Sequence, residues 1–77
     1  MRRRALVTGG TSPIGAAICR RLAADGCEVL VHAHAGLARA EGLAAEIGGR
    51  AFACDLTDVP ATAAAVEALL VDGPIQI

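Results

Sequence analysis

The 77-residue chain has no tyrosine, no tryptophan and no lysine, and Phe52 is its only aromatic residue. Without aromatic platforms there is nothing on which to stack single-stranded bases. Without tyrosine or lysine, no acid, base or nucleophile of those types can come from these residues. A surplus of charge is also missing. Seven arginines against eight Asp and Glu give a formal charge of -1, whereas binding a duplex needs a basic excess to neutralise phosphates. Long apolar runs are absent too. Ala5-Leu6-Val7 is followed at once by Thr8-Gly9-Gly10, short of the ~7–15 residues of a signal-peptide core and the ~18 of a membrane span. Cysteine is scarce and odd in number, Cys19, Cys27 and Cys54, with no C-x-x-C pair. A disulfide framework or zinc site is not expected on that spacing, and three buried, reduced thiols are. These absences predict a cytoplasmic protein with neither nucleic acid nor membrane as partner. Arg2-Arg3-Arg4 reads as a solvated end before the first strand.

What remains is 55% hydrophobic and patterned. Arg4 to Thr8 reads as a short buried strand that ends at a glycine pair. From Pro13 to Asp25, Ile14, Ile18 and Leu22 recur every four residues and predict an amphipathic helix with that stripe inward. Glu28 to His32 reads as a second strand. Leu37, Ala40, Leu43, Ala44 and Ile47 mark a second helix closed by Gly48-Gly49, with Gly42 as a weak point inside it. Arg50 to Cys54 is a third strand. Asp58 can cap a third helix with Pro60 in its first turn and Val59, Ala63, Val66 and Leu70 facing inward. Ile75-Gln76-Ile77 looks like the opening of a fourth strand. Strands alternating with helices of this length predict an α/β fold: a Rossmann-type, doubly wound parallel sheet, of which residues 1–77 form the N-terminal half.

The segment Thr8 to Gly15, T-G-G-T-S-P-I-G, falls where the first strand becomes the first helix. Helix N-termini leave N–H groups unpaired and partly positive, which favours a phosphate. Gly9 lets the backbone turn and a ligand approach, and Thr11 and Ser12 add hydroxyl donors without bulk. Pro13 suits the first helical position, Ile14 offers an N–H, and Gly15 allows close packing of helix on strand. A glycine-rich turn can also merely join strand to helix. The strand before it, the helix after it and the unit of about 30 residues favour a dinucleotide site. The lysine of a P-loop is absent.

Beyond these residues the chain resembles the N-terminal part of the short-chain dehydrogenase/reductase family. Four pieces carry the resemblance: T-G-G-T-S-P-I-G, A-A-I-C-R-R-L-A-A-D-G at 16–26, C-D-L-T-D at 54–58 and G-P-I-Q-I at 73–77. Their wording is closest to bacterial 3-oxoacyl-acyl-carrier-protein reductases. The glycine motif departs from the family's T-G-x-x-x-G-x-G, since Pro13 stands at the middle glycine and removes one N–H from the phosphate cradle. The extended branch of nucleotide-sugar epimerases and dehydratases would need glycine at Ser12.

The resemblance implies hydride transfer between a nicotinamide and a carbonyl or alcohol, with a 3-oxoacyl thioester as the nearest substrate class, in a homo-oligomeric enzyme. It places Asp55 on the adenine amino group and Leu56 near the ring. The family's catalytic tyrosine, lysine, serine and asparagine follow an N-N-A-G motif that residues 1–77 do not contain, so none of these residues is assigned a catalytic role. An acidic residue after the second strand would select NAD, but no Asp or Glu stands between Glu28 and Glu41. This favours NADP(H), with His34 and Arg39 as cationic partners of its 2′-phosphate and His32 behind them. His32 and His34, two apart on a strand, share a face, yet lack a third metal ligand. A non-catalytic nucleotide-binding module is the alternative from another class. A segment of this length, with one edge of its first strand bare, is expected to be marginally stable alone.

Overall fold

Three strands and three helices alternate along residues 2–77 of the computed structural model, the residues it describes: β1 (Arg4–Val7), α1 (Pro13–Ala24), β2 (Glu28–Ala33), α2 (Leu37–Ile47), β3 (Arg50–Ala53) and α3 (Val59–Leu70). The strands are parallel and ordered β1-β2-β3, with Arg4 opposite Glu28 and Leu30 opposite Arg50. The expected α/β architecture is present, with strand ends one residue away from those the pattern predicts.

Strand periodicity sorts the side chains onto two faces. Ala5, Val7, Val29, Val31 and Ala33 join Cys19 of α1 and Ala40, Leu43 and Ala44 of α2 in one core. The opposite face carries Arg4, Leu30 and His32, all buried, and meets the end of α3 at buried Leu69. Helices α1 and α2 therefore lie on one side and α3 on the other, and β2 is covered on both. This explains its unbroken apolar run.

Arg4 corrects the expectation of a solvated arginine cluster. Arg2 and Arg3 are exposed, but Arg4 is buried. The β1/β2 register sets its Nε 2.9 Å from Glu28 Oε1, and its Nη1 donates to the carbonyls of Leu69 and Gly73 at 2.9 and 2.6 Å. One guanidinium thus ties β1 to β2 and holds the end of α3 against the sheet.

Past α3 the chain returns along the free edge of β1. Ile77 donates to the Arg4 carbonyl at 3.3 Å, and its own carbonyl accepts from Leu6 N at 2.8 Å. That is one rung of a parallel ladder opposite Ala5. Gln76 Oε1 accepts from Arg4 N at 2.9 Å. Residues 76–77 thus lie hydrogen-bonded along the outer edge of β1, beside the three-stranded sheet.

Two predicted helix faces are corrected. In α1, Ile14 and Ile18 are 77% and 46% exposed, and the buried positions are Gly15 and Cys19. Gly15 sits against the turn after β1 and Cys19 against the sheet, which turns the isoleucines outward. In α3, Val59 is 71% exposed and Leu70 45%, Ala63 is exposed, and only Leu69 is buried, with Thr62, Ala65 and Val66 half-buried. The inward stripe is 62, 65, 66 and 69. The helix is apolar nearly all round, so its pattern could not choose a side. Cys19 and Cys27 are buried, whereas Cys54 is half-buried at the end of β3; burial pushes the Cys19 thiol up from its ordinary range.

Candidate functional site

Because the strands are parallel, the segments that follow β1, β2 and β3 emerge at one edge of the sheet. They bring together the turn 8–12, His34 and the pair Asp55 and Leu56. The turn is held from within. Gly9 has φ +62, a left-handed conformation suited to glycine. Its carbonyl accepts from Ser12 N at 3.1 Å and from Ser12 Oγ at 2.9 Å. Ser12 Oγ in turn accepts from Gly15 N at 3.0 Å, which makes Ser12 the N-cap of α1. A Cβ on Gly15 would overlap the Gly9 carbonyl oxygen and lie 2.9 Å from Gly10 Cα. The close approach that requires Gly15 is thus to the turn itself, not to the strand.

This geometry divides the predicted donors. The Ser12 hydroxyl is committed to the cap and to Gly9. Pro13 has no N–H, while Gly15 and Ala16 donate to Ser12. The N–H groups of Thr11 and Ile14 and the Thr11 hydroxyl have no partner among the described residues. They face the positive end of a 12-residue helix. Nothing lies within 4 Å of a Cβ built on Gly9, so the turn can be approached from outside.

His32 corrects another expectation. It is 2% exposed, and both ring nitrogens are engaged: Nδ1 with Gly9 N at 3.0 Å and Nε2 with Cys54 O at 2.9 Å. It offers no N–H to a ligand phosphate and cannot join His34 on a metal. His34 lies beyond the end of β2 and is exposed, its Nδ1 3.8 Å from Asp55 Oδ1. Among the described residues, no three His, Cys, Asp or Glu come close enough together to hold a metal.

Asp55 Oδ1 accepts from Thr57 Oγ1 at 2.6 Å and Thr57 N at 2.9 Å, a turn that holds the carboxylate at the mouth of the edge. The hydroxyl and amide of Thr57, with a smaller contribution from His34, hold its pKa below the ordinary carboxylate value. Sequence reasoning missed Thr57, although D-x-T is the spacing of such a turn. Asp58, as expected, caps α3, accepting from Ala61 N at 3.1 Å.

Between α1 and α2 lies a groove of about 400 Å³ lined by Thr11, Ala16, Arg20, Arg39, Gly42, Leu43 and Glu46. Arg20 and Glu46 close one side with a 2.7 Å ion pair. Arg39, exposed in the first turn of α2, shares this groove with Thr11 of the turn. A larger cavity of about 460 Å³ lies at the other end of the strands, around Arg4, Glu28 and Gln76. It has no helix N-terminus and belongs to the Arg4 anchor.

The model for short chain dehydrogenases matches residues 3–74. The chain belongs to the short-chain dehydrogenase family. Members of this oxidoreductase family include the D-threitol dehydrogenase of Mycolicibacterium smegmatis, 40% identical over 95% of this chain and 30% of that protein. A metagenomic short-chain oxidoreductase crystallised with NADP superposes with a TM-score of 0.81 at 36% identity, over 91% of this chain and 34% of the other. A 3-oxoacyl-[acyl-carrier protein] reductase from Brucella melitensis, in complex with NAD, gives 0.75 at 36% identity, over 95% and 30%. The chain spans about a third of the length of these relatives.

Proposed function

We propose that these residues form the coenzyme-binding N-terminal segment of a nicotinamide-dependent oxidoreductase that prefers NADP(H). The observation that carries the reading is the set of unpartnered donors, Thr11 N–H and hydroxyl and Ile14 N–H, at the start of α1 on the carboxyl edge of the sheet. A diphosphate needs such a cradle, and Gly9 leaves room for one. Asp55, kept ionised by Thr57, would accept from the adenine amino group, with Leu56, 45% exposed, against the ring. The lack of a carboxylate after β2, with the Arg39 guanidinium and the His34 imidazole as donors, supports a 2′-phosphate over a free hydroxyl. The bound nicotinamide supplies the hydride chemistry; the residues described bind and orient it. The parent substrate is a carbonyl or alcohol, with a 3-oxoacyl thioester as the class closest in resemblance, and the intact enzyme is a homo-oligomer.

Titration of the full chain carrying these residues with NADPH and NADH tests this. NADPH should bind at least about tenfold more tightly, the worth of one charged hydrogen bond. Arg39→Ala should remove most of that preference and leave NADH binding nearly unchanged. Equal affinity for both coenzymes would overturn the preference, and binding of neither would overturn the site.

A further inference from the structure

We infer that His32 is a positioning residue for the glycine turn, holding it in its binding shape only while the imidazole is neutral. The inference rests on the coenzyme reading above, but the geometry stands by itself. Gly9 N–H can only donate, so Nδ1, 3.0 Å away, presents its lone pair. The Cys54 carbonyl can only accept, so Nε2, at 2.9 Å, carries the proton. One tautomer of the neutral ring satisfies both partners, and it joins the turn after β1 to the end of β3. Main-chain contact strengthens the link, since Gly10 N donates to the His32 carbonyl at 2.8 Å. Gly9 is thus gripped on both sides, by His32 at its N–H and by Ser12 at its carbonyl.

Protonation of Nδ1 would set one N–H against another. The Gly9 amide would lose its acceptor, and the ring, 2% exposed, could not turn to water without leaving Cys54. The surroundings offer the extra charge no counter-ion in contact. From β3 the ring meets Phe52, centroids 5.3 Å apart, and the Cys54 backbone; the titratable groups there are the Cys54 thiol and Asp55. Asp55 is bound to Thr57 and faces His34, the next titratable group along from β2. Gly9 and Gly10 bring none. On the α3 side Asp58 and Glu67 make no ion pair with the ring, and His32 is absent from every ion pair of the described residues. A turn that keeps its shape in only a fraction of molecules binds its ligand more weakly by that fraction. By reciprocity, coenzyme binding should expel a proton from the acidified protein.

The test uses the full chain and three forms: wild type, His32→Asn and His32→Leu. Asparagine can present Oδ1 to Gly9 N–H where Nδ1 stood, but does not titrate; leucine offers nothing. Dissociation constants for NADPH and NADH are measured from about pH 8 to pH 5.5, the span over which imidazoles change charge. The wild-type constant should rise about tenfold more than that of His32→Asn, the scale of one unsatisfied buried donor. His32→Leu should bind about tenfold more weakly at pH 8. Comparing variants cancels titration of His34 and of the coenzyme's own phosphate. Parallel pH profiles for wild type and His32→Asn would overturn the inference. A second arm needs no coenzyme: the Gly9 amide resonance of the wild type should titrate together with the His32 ring nitrogens. If it does not, the link is refuted. If it does while neither coenzyme binds at any pH, the link stands and the coenzyme reading falls.

Discussion

Gly15 shows how narrow the tolerance of the turn is. Its missing side chain is where the Gly9 carbonyl passes, so Gly15→Ala must displace the turn or the start of α1. Overpacking of this kind costs about 1–3 kcal/mol, and the displaced part is the phosphate cradle. Calorimetric titration of the full chain should show NADPH affinity reduced more than tenfold, with a smaller loss in denaturation midpoint. Thr57 makes a separate prediction. Its hydroxyl is the largest cause of the low Asp55 pKa, so Thr57→Ala should raise the Asp55 titration midpoint toward the ordinary value, as followed by carboxyl NMR. A depressed carboxylate stabilises the fold above its unfolded pKa, and that contribution fades as pH falls through the lower folded value. Asp55 is solvent-exposed, so the effect should appear in the titration more than in stability. Between pH 5 and 8 it stays ionised, so a change of coenzyme binding there does not come from Asp55.

At the scale of elements, α3 is the weakly held member. It buries only Leu69, and Arg4 bonds to the carbonyls of Leu69 and Gly73 keep its end on the sheet. Arg4→Ala leaves both carbonyls and Glu28 without their partner and should cost about 3 kcal/mol. Arg2→Ala, at an exposed neighbour, should stay within about 0.5 kcal/mol. Denaturant unfolding of the two variants of the full chain distinguishes a buried anchor from a solvated cluster. The exposed pairs Arg20–Glu46 and Arg50–Asp72 also pull their carboxylates below the ordinary range, but in water such pairs add little. The helices themselves were legible from spacing, as were Asp58 and Gly48 as their ends. Which face turned inward was legible for α2, at 40, 43, 44 and 47, but not for α1 or α3. A run with apolar side chains on several sides admits more than one stripe, and the choice depends on what the backbone packs against. For α1, Gly15 against the turn and Cys19 in the core settle it.

For the whole molecule, residues 2–77 leave much apolar surface in water: Ile14 is 77%, Val59 71% and Val71 83% exposed. The outer edge of β1 is met only by Gln76 and Ile77. A polypeptide of residues 1–77 taken alone should therefore unfold broadly, or associate through that edge and those side chains. Sedimentation and thermal circular dichroism would show it, and a sharp, reversible monomeric transition would contradict it. Helices on both faces and the parallel strands place the turn 8–12 at the carboxyl edge of the sheet, beside the segments that follow β2 and β3.

The order of strands and helices, the parallel sheet, the capped start of α3 and the family were written in local spacing and in short pieces such as T-G-G-T-S-P-I-G. Period, glycine placement and capping act between residues a few positions apart, so they survive in the sequence. The roles of Arg4, His32 and Ser12 depended on what the folded chain brought alongside them: Leu69 and Gly73 from 65 and 69 residues away, Cys54 from 22, and the Gly9 carbonyl turned back on the cap. A side chain's polarity says that it needs partners. Only the closure of the sheet decides whether those partners are water, a coenzyme or the protein's own backbone.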